Sequence, residues 1–311
     1  MRSPTSLRAG HALGVRLPAL AMGLAAGLAW ASLAAGAAAA QSSPPSPDPS
    51  PDPSAGSSPR ICLPGEPACL DPEALIRLVH DIAFGREDFR LPGDARHFSD
   101  HRLRRFPRGP VPVEVYSDDG AIAGNPKFWE PFRILAQRLP GITGLRLAPR
   151  AQVELWEAPP GVMVFVGTRG YLRESLATLA RISGTDPARA EARFDALAEP
   201  FLRRGRPVCF AEVRFRSALS AEVAFSVVAL ESSPALSECV YEEMLQALGP
   251  INDSRRMRET LFNDAARVGA PTAYDWLAFA VIYDPRLVTG MTEAEAAPII
   301  ARIVEGYVSR P

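Results

Sequence analysis

The segment from Ser233 to Asn252 constrains the fold most, because it combines a helix start, an apolar stripe and a helix stop. Its opening Ser-Pro pair is typical of a helix start, since the hydroxyl caps free N–H groups and proline suits the first turn. Gly249, followed by proline, is typical of a helix end. The sequence therefore predicts one central helix over about 234–248, or about four turns.

Two lines of side chains run along this predicted helix. The apolar line repeats every fourth residue and consists of Leu236, Val240, Met244 and Leu248. The other line consists of Glu242, Gln246 and Gly249, with Glu243 beside it. The second line is the candidate site. The alternative is an amphipathic helix whose Glu and Gln side chains, both favoured helix formers, face water.

The spacing of the second line resembles the HExxHxxGxxH helix of zinc peptidases. In that motif three histidines bind the metal, the glutamate is the general base and the glycine lets the chain turn. The same five positions here carry Glu242, Glu243, Gln246, Gly249 and Asn252. One carboxylate and two amides suit zinc poorly and offer calcium too few oxygens. We therefore expect no bound metal or other cofactor, with Glu243 as the only candidate catalytic residue.

The N-terminal sequence is typical of an exported protein. Arginines precede an uncharged Ala/Gly/Leu-rich run that ends in small residues at Ala40, so residues 1–40 are predicted to be a cleavable signal peptide. A retained membrane anchor is the alternative, because the run is long enough to span a bilayer. No later stretch is apolar enough to do so. We expect a periplasmic or secreted protein without membrane contact after cleavage.

Composition divides the remaining chain into a tether and one domain. Residues 41–60 are rich in proline and serine and almost free of apolar side chains, which predicts a disordered tether. Residues 61–311 are predicted to form a single domain. The formal net charge is -1 and the basic residues are scattered among acids, so no nucleic-acid partner is expected.

The four cysteines favour disulfide bonds, because their number is even and the chain is predicted to be exported. Three pairings are possible. We favour Cys62 with Cys69, across a short loop, and Cys209 with Cys239, which would join a predicted strand to the central helix. A second metal candidate, the histidine pair of HFSDH at 97–101, has no further ligand nearby and is typical of a solvated surface.

The order of predicted elements indicates an α+β fold. Strands are predicted at 111–117, 144–148, 162–166, 209–216 and 221–230, with the last two antiparallel. Two polar-rich helices, 170–183 and 186–204, form a helical hairpin inserted between the strands, and two further helices follow the central one.

This order resembles that of the metzincin or matrixin-like zinc peptidases. The segment Pro271–Asp284 is similar to their closing helix, with Thr272, Asp275 and Tyr283 at matching positions. Phe262 lies where these peptidases are expected to have the methionine that forms the hydrophobic floor of the site. The resemblance implies a zincin-like mixed sheet whose edge strand borders a peptide-binding cleft. With the zinc histidines replaced, it implies a degenerate peptidase that binds a peptide or envelope component without cutting it.

The chain from about residue 71 also resembles DUF2927, a family of exported bacterial proteins of unknown function. The matching strings are CVYEE at 239–243, QALG at 246–249, ND at 252–253, FND at 262–264, YDPRL at 283–287 and GM at 290–291. The resemblance implies that Glu242, Glu243, Gln246 and Asn252 form one site, but it implies no activity. The alternative function is a metal-free hydrolase in which Glu243 is the general base, paired with Asp253 or the acid at 264. Glu242 is about 100° away on the predicted helix and is a poor partner for it.

Overall fold

The computed structural model describes residues 60–62, 69–85, 102–118, 121–149, 161–215, 221–263, 265–266 and 268–308. The predicted signal peptide, nearly all of the predicted tether and the 97–101 histidine pair lie outside these residues. All of the described residues belong to one compact unit, Ala55–Pro311. No described helix is long and apolar enough to cross a membrane.

Five strands form one mixed sheet in the order β2-β1-β3-β5-β4. The strands are β1 (Gly109–Ser117), β2 (Leu145–Pro149), β3 (Val162–Gly167), β4 (Cys209–Phe215) and β5 (Val223–Glu231). Strands β2, β1, β3 and β5 run parallel to one another, whereas β4 runs antiparallel to β5 at one edge of the sheet. The predicted antiparallel pair is therefore confirmed.

Seven α-helices surround the sheet in the described part of the chain. They are α1 (Pro72–Phe84), α2 (Pro126–Thr143), α3 (Arg169–Ile182), α4 (Pro187–Arg203), α5 (Leu236–Gln246), α6 (Ala273–Ile282) and α7 (Glu293–Glu305). The central helix, α5, is shorter than predicted. The Ser233 hydroxyl accepts a hydrogen bond from the Ala235 N–H at 3.2 Å, so the Ser-Pro pair forms a turn before the helix.

The two faces of the sheet are covered by different helices. One face carries the main core, to which α1, α2, α5, α6 and α7 contribute. The α3–α4 hairpin covers the other face, where Phe194 packs with Met163 and Phe165 of β3. Because neighbouring strand residues point to opposite faces, every residue of β3 is buried. The α+β class and the inserted hairpin are confirmed.

Candidate functional site

Helix α5 is fixed by its apolar stripe and by the helix that closes the fold. Leu236, Val240 and Met244 are almost fully buried in the main core. At the end of the stripe, the Tyr283 hydroxyl donates a hydrogen bond to the Leu248 carbonyl at 2.6 Å. Tyr283 is itself fully buried, and this burial raises the pKa of its hydroxyl. The neutral phenol therefore holds the end of α5.

Gly249 lets the chain leave α5 at a place where no side chain fits. Its φ is +135°, a conformation that L residues rarely adopt. A Cβ atom there would lie 2.3 Å from the Arg104 carbonyl oxygen. The glycine is therefore required by a close backbone contact, which gives a structural reason for its place in the sequence pattern.

A small cleft of about 70 Å³ lies between α5, the start of β4 and the later residues Leu261, Asn263, Ala266 and Val268. We call it the acidic cleft. The residues that line it are Phe201, Arg206, Pro207, Cys209, Ala235, Glu238, Cys239, Glu242, Glu243, Leu261, Asn263, Ala266 and Val268. Three carboxylates and one guanidinium thus share this space.

Glu242 and Glu243 both reach the acidic cleft, although they are neighbours on the helix. Glu243 is only 4% exposed. Neighbouring residues lie about 100° apart on a helix, and both side chains contribute to the lining of this cleft together with Leu261 and Asn263. The favoured Cys209–Cys239 disulfide is present and belongs to the same lining. The other expected bridge, Cys62–Cys69, is also present.

The remaining residues of the polar line lie outside the lining of the acidic cleft. The Gln246 amide donates to the Asp253 carboxylate at 3.1 Å. The Asn252 amide donates to the Ile82 carbonyl near the end of α1 at 3.1 Å, and Asn252 is buried. The peptidase-like spacing is thus divided in space: two glutamates border the cleft, while two amides bind other parts of the fold.

These donor groups do not fit zinc. Gln246 and Asn252 offer a metal only neutral amide oxygens, and zinc favours imidazole and thiolate over these. Among the described residues, no group of three or more His, Cys, Asp or Glu side chains is arranged to hold a metal ion. The spacing that resembles the zinc peptidases therefore does not form a zinc site of that type.

Phe262 lies in the chain between two lining residues of the acidic cleft, Leu261 and Asn263, and is itself part of the core. It is fully buried and stacks on Phe279, with ring centroids 6.0 Å apart. The Asp275 carboxylate accepts hydrogen bonds from the Leu261 N–H and the Thr260 hydroxyl, and it also completes the predicted capping box of α6. Burial raises the pKa of Asp275, and these hydrogen bonds oppose the rise. The sequence indicated the capping box but not this second role in holding the loop.

The outer edge of β4, on the side away from β5, is the feature of the site that the sequence did not reveal. The Glu231 N–H donates to the Val208 carbonyl, which makes that opposing pair a hydrogen-bonded pair of the antiparallel ladder. On the other side of β5, the Ser226 N–H points away from β4 and donates to the Gly161 carbonyl at 2.9 Å.

These two bonds fix which residues of β4 face outwards. Hydrogen-bonded and non-hydrogen-bonded pairs alternate along the ladder, so Phe210 and Glu212 bond to β5. Cys209, Ala211 and Val213 then direct their N–H and C=O groups away from the sheet. In the described part of the chain, β5 is the one strand that pairs with β4. The outward row starts at the disulfide beside the acidic cleft. Within the row Ala211 is partly exposed, whereas Cys209 and Val213 are largely buried.

Comparison with known proteins gives one family. No curated protein and no solved structure matches the chain. A family model described as protein of unknown function (DUF2927) matches residues 73–302, which is most of the sequence. The chain therefore belongs to the DUF2927 family.

Proposed function

We propose that this protein is an exported peptide-binding module that takes up an extended segment on the outer edge of β4, where no described strand pairs, and does not cut it. The observation that carries the proposal is the row of outward backbone groups at Cys209, Ala211 and Val213, which follows from the ladder pattern. Unpaired edges of this kind bind peptides by strand addition, in which the main chain supplies the affinity.

The acidic cleft would give the edge its selectivity. In a sheet, residues directly opposite each other on neighbouring strands place their side chains on the same face. Cys209 faces α5, since it is bonded to Cys239 of that helix. A guest residue opposite Cys209 would therefore direct its side chain towards the face that carries the cleft.

Export is part of this proposal. Two disulfides are typical of a protein that works in an oxidising compartment, and they agree with the predicted signal peptide. A peptide or a peptide-bearing component of the cell envelope is the corresponding partner.

A metal-free hydrolase is the second candidate. It is favoured by one observation, the common position of Glu242 and Glu243 on the lining of a cleft, with Glu243 largely buried. Two carboxylates in one cleft can divide acid and base roles when their surroundings differ. Turnover of envelope peptides or glycans that is lost in Glu243→Gln would support this candidate, and equal turnover in both proteins would exclude Glu243 as the base.

Strand addition is tested by selecting binders from a displayed library of random peptides and measuring their affinity for two variants. Ala211→Pro removes an outward N–H without breaking the ladder to β5, since proline is tolerated on an edge whose N–H faces outwards. Ala211→Val has a side chain of similar size and keeps the N–H. We expect binding to fall at least tenfold in the proline variant alone. Selected peptides that bind Ala211→Pro as tightly as the parent would refute the proposal.

A further inference from the structure

A second and larger cavity, of about 370 Å³, lies where the end of α2 meets α6 and the segments after α6 and α7. We call it the aromatic cavity. Its lining consists of Arg108, Gly141, Ile142, Trp276, Leu277, Ala280, Tyr283, Asp284, Pro285 and Tyr307. None of these residues lines the acidic cleft. Its volume lies within the range typical of small-molecule sites, about 300–1,000 Å³.

Trp276 lines the aromatic cavity and has a buried N–H group without a hydrogen-bond acceptor among the described residues. The residue is 8% exposed, and this group is its indole Nε1–H. The Arg138 guanidinium lies 5.0 Å from the ring centroid. A buried donor without an acceptor is costly, so such a group is notable beside a cavity.

The charge on the wall favours an anion. One N–H of Arg108 donates to the Tyr283 carbonyl, and its other donors have no acceptor among the described residues. Asp284, the one carboxylate of the lining, is already engaged by Arg286, whose Nε and Nη2 donate to its two oxygens at 2.8 Å each. Hydrogen bonds from Arg286, followed by the nearby positive charges of Arg286 and Arg108, lower the pKa of Asp284. Because Arg286 makes the hydrogen bonds to both carboxylate oxygens, the N–H donors of Arg108 are the ones that face an incoming anion.

We propose that the aromatic cavity binds a small organic carboxylate with an apolar body. The planar guanidinium of Arg108 pairs with the carboxylate, for which its fork of donors is suited. Ile142, Leu277 and Tyr307 provide apolar contact for the body. This site is separate from the β4 edge and does not depend on peptide binding there.

The test uses 3-phenylpropionate and its uncharged analogue 3-phenylpropanamide as probes, with binding followed by calorimetry and by the indole N–H resonance of Trp276. We expect the acid to bind at least tenfold more tightly than the amide and to shift that resonance. Equal affinities for the two probes, or no binding of the acid at millimolar concentration, would overturn the proposal.

Two further variants keep the result independent of folding defects. Arg108 also supports the Tyr283 carbonyl, so its replacement can disturb the fold. Ala280→Phe fills the cavity without removing either polar group, whereas Ala280→Ser leaves it open. We expect at least a tenfold loss of acid binding in the Phe variant and less than a twofold change in the Ser variant. Undiminished binding to a folded Ala280→Phe protein would place the ligand elsewhere and overturn the assignment.

Discussion

Removing the Cys209–Cys239 bridge should destabilise the protein more than removing Cys62–Cys69. The bridged residues are 30 apart in sequence at the first site and 7 apart at the second. A crosslink restricts the unfolded chain more when it closes a longer loop. The chain-entropy relation gives about 3.6 kcal/mol for the longer loop and about 2.3 kcal/mol for the shorter one, a difference of about 1.3 kcal/mol.

Burial adds to this difference in the same direction. Cys209 and Cys239 are buried, at 3% and 7% exposure, whereas Cys62 and Cys69 are exposed. Replacement of the first pair by alanine therefore also removes packed sulfur atoms from the core.

The assay is equilibrium urea unfolding of the two double-alanine variants beside the parent, with both cysteines of a bridge replaced so that no free thiol remains. We expect the Cys209→Ala/Cys239→Ala protein to lose at least 1 kcal/mol more than the Cys62→Ala/Cys69→Ala protein, about the loop-length difference. The reasoning is refuted if the Cys62–Cys69 variant loses as much or more.

Three further predictions concern the end of α5 and the lining of the aromatic cavity. Tyr283→Phe leaves the Leu248 carbonyl without its hydroxyl donor. The free energy of unfolding, measured by urea titration, should therefore fall by about 1–3 kcal/mol. An unchanged free energy of unfolding would show that this hydrogen bond contributes nothing to stability. Gly249→Ala should lose about 1–3 kcal/mol through backbone strain at positive φ, and a refolded variant of parental stability would contradict the contact with Arg104. Asp284→Asn should remove a pH-dependent contribution to stability. Because Arg286 lowers the folded-state pKa of Asp284, the carboxylate stabilises the folded protein above its unfolded pKa of about 3.9. This stabilisation is lost as the pH falls through the folded-state pKa. The stability difference between parent and variant should therefore shrink below about pH 4, and a difference independent of pH would contradict the pairing.

Local patterns in the sequence were sufficient for the secondary structure and the disulfides. The apolar stripe of α5 is buried, as its spacing indicated. This could be predicted because the spacing depends only on the period of the helix and not on contacts with distant segments. Both favoured cysteine pairs formed. The predicted start of α5, at about residue 234, was two residues too early, because α5 begins at Leu236. The Ser233 hydroxyl can cap a turn as readily as a helix.

The candidate site was harder to predict because it depends on contacts between distant segments. Asn252 bonds to Ile82, and no local spacing reveals a partner so far away in the sequence. The common cleft of Glu242 and Glu243 depends on Leu261 and Asn263, which come from a later part of the chain. The outward row on β4 depends on strand order and register, which sequence periodicity does not determine.

Residue-resolved hydrogen exchange of β4, with and without a library-selected peptide, tests the central claim most directly. In the free protein the amides of Phe210 and Glu212 should be protected by β5, while the amide of Ala211, the partly exposed member of the outward row, should exchange faster. Bound peptide should slow exchange at Ala211 and leave the amides of Phe210 and Glu212 unchanged. If peptide binds and protects other amides but not that of Ala211, the edge of β4 is not the binding site.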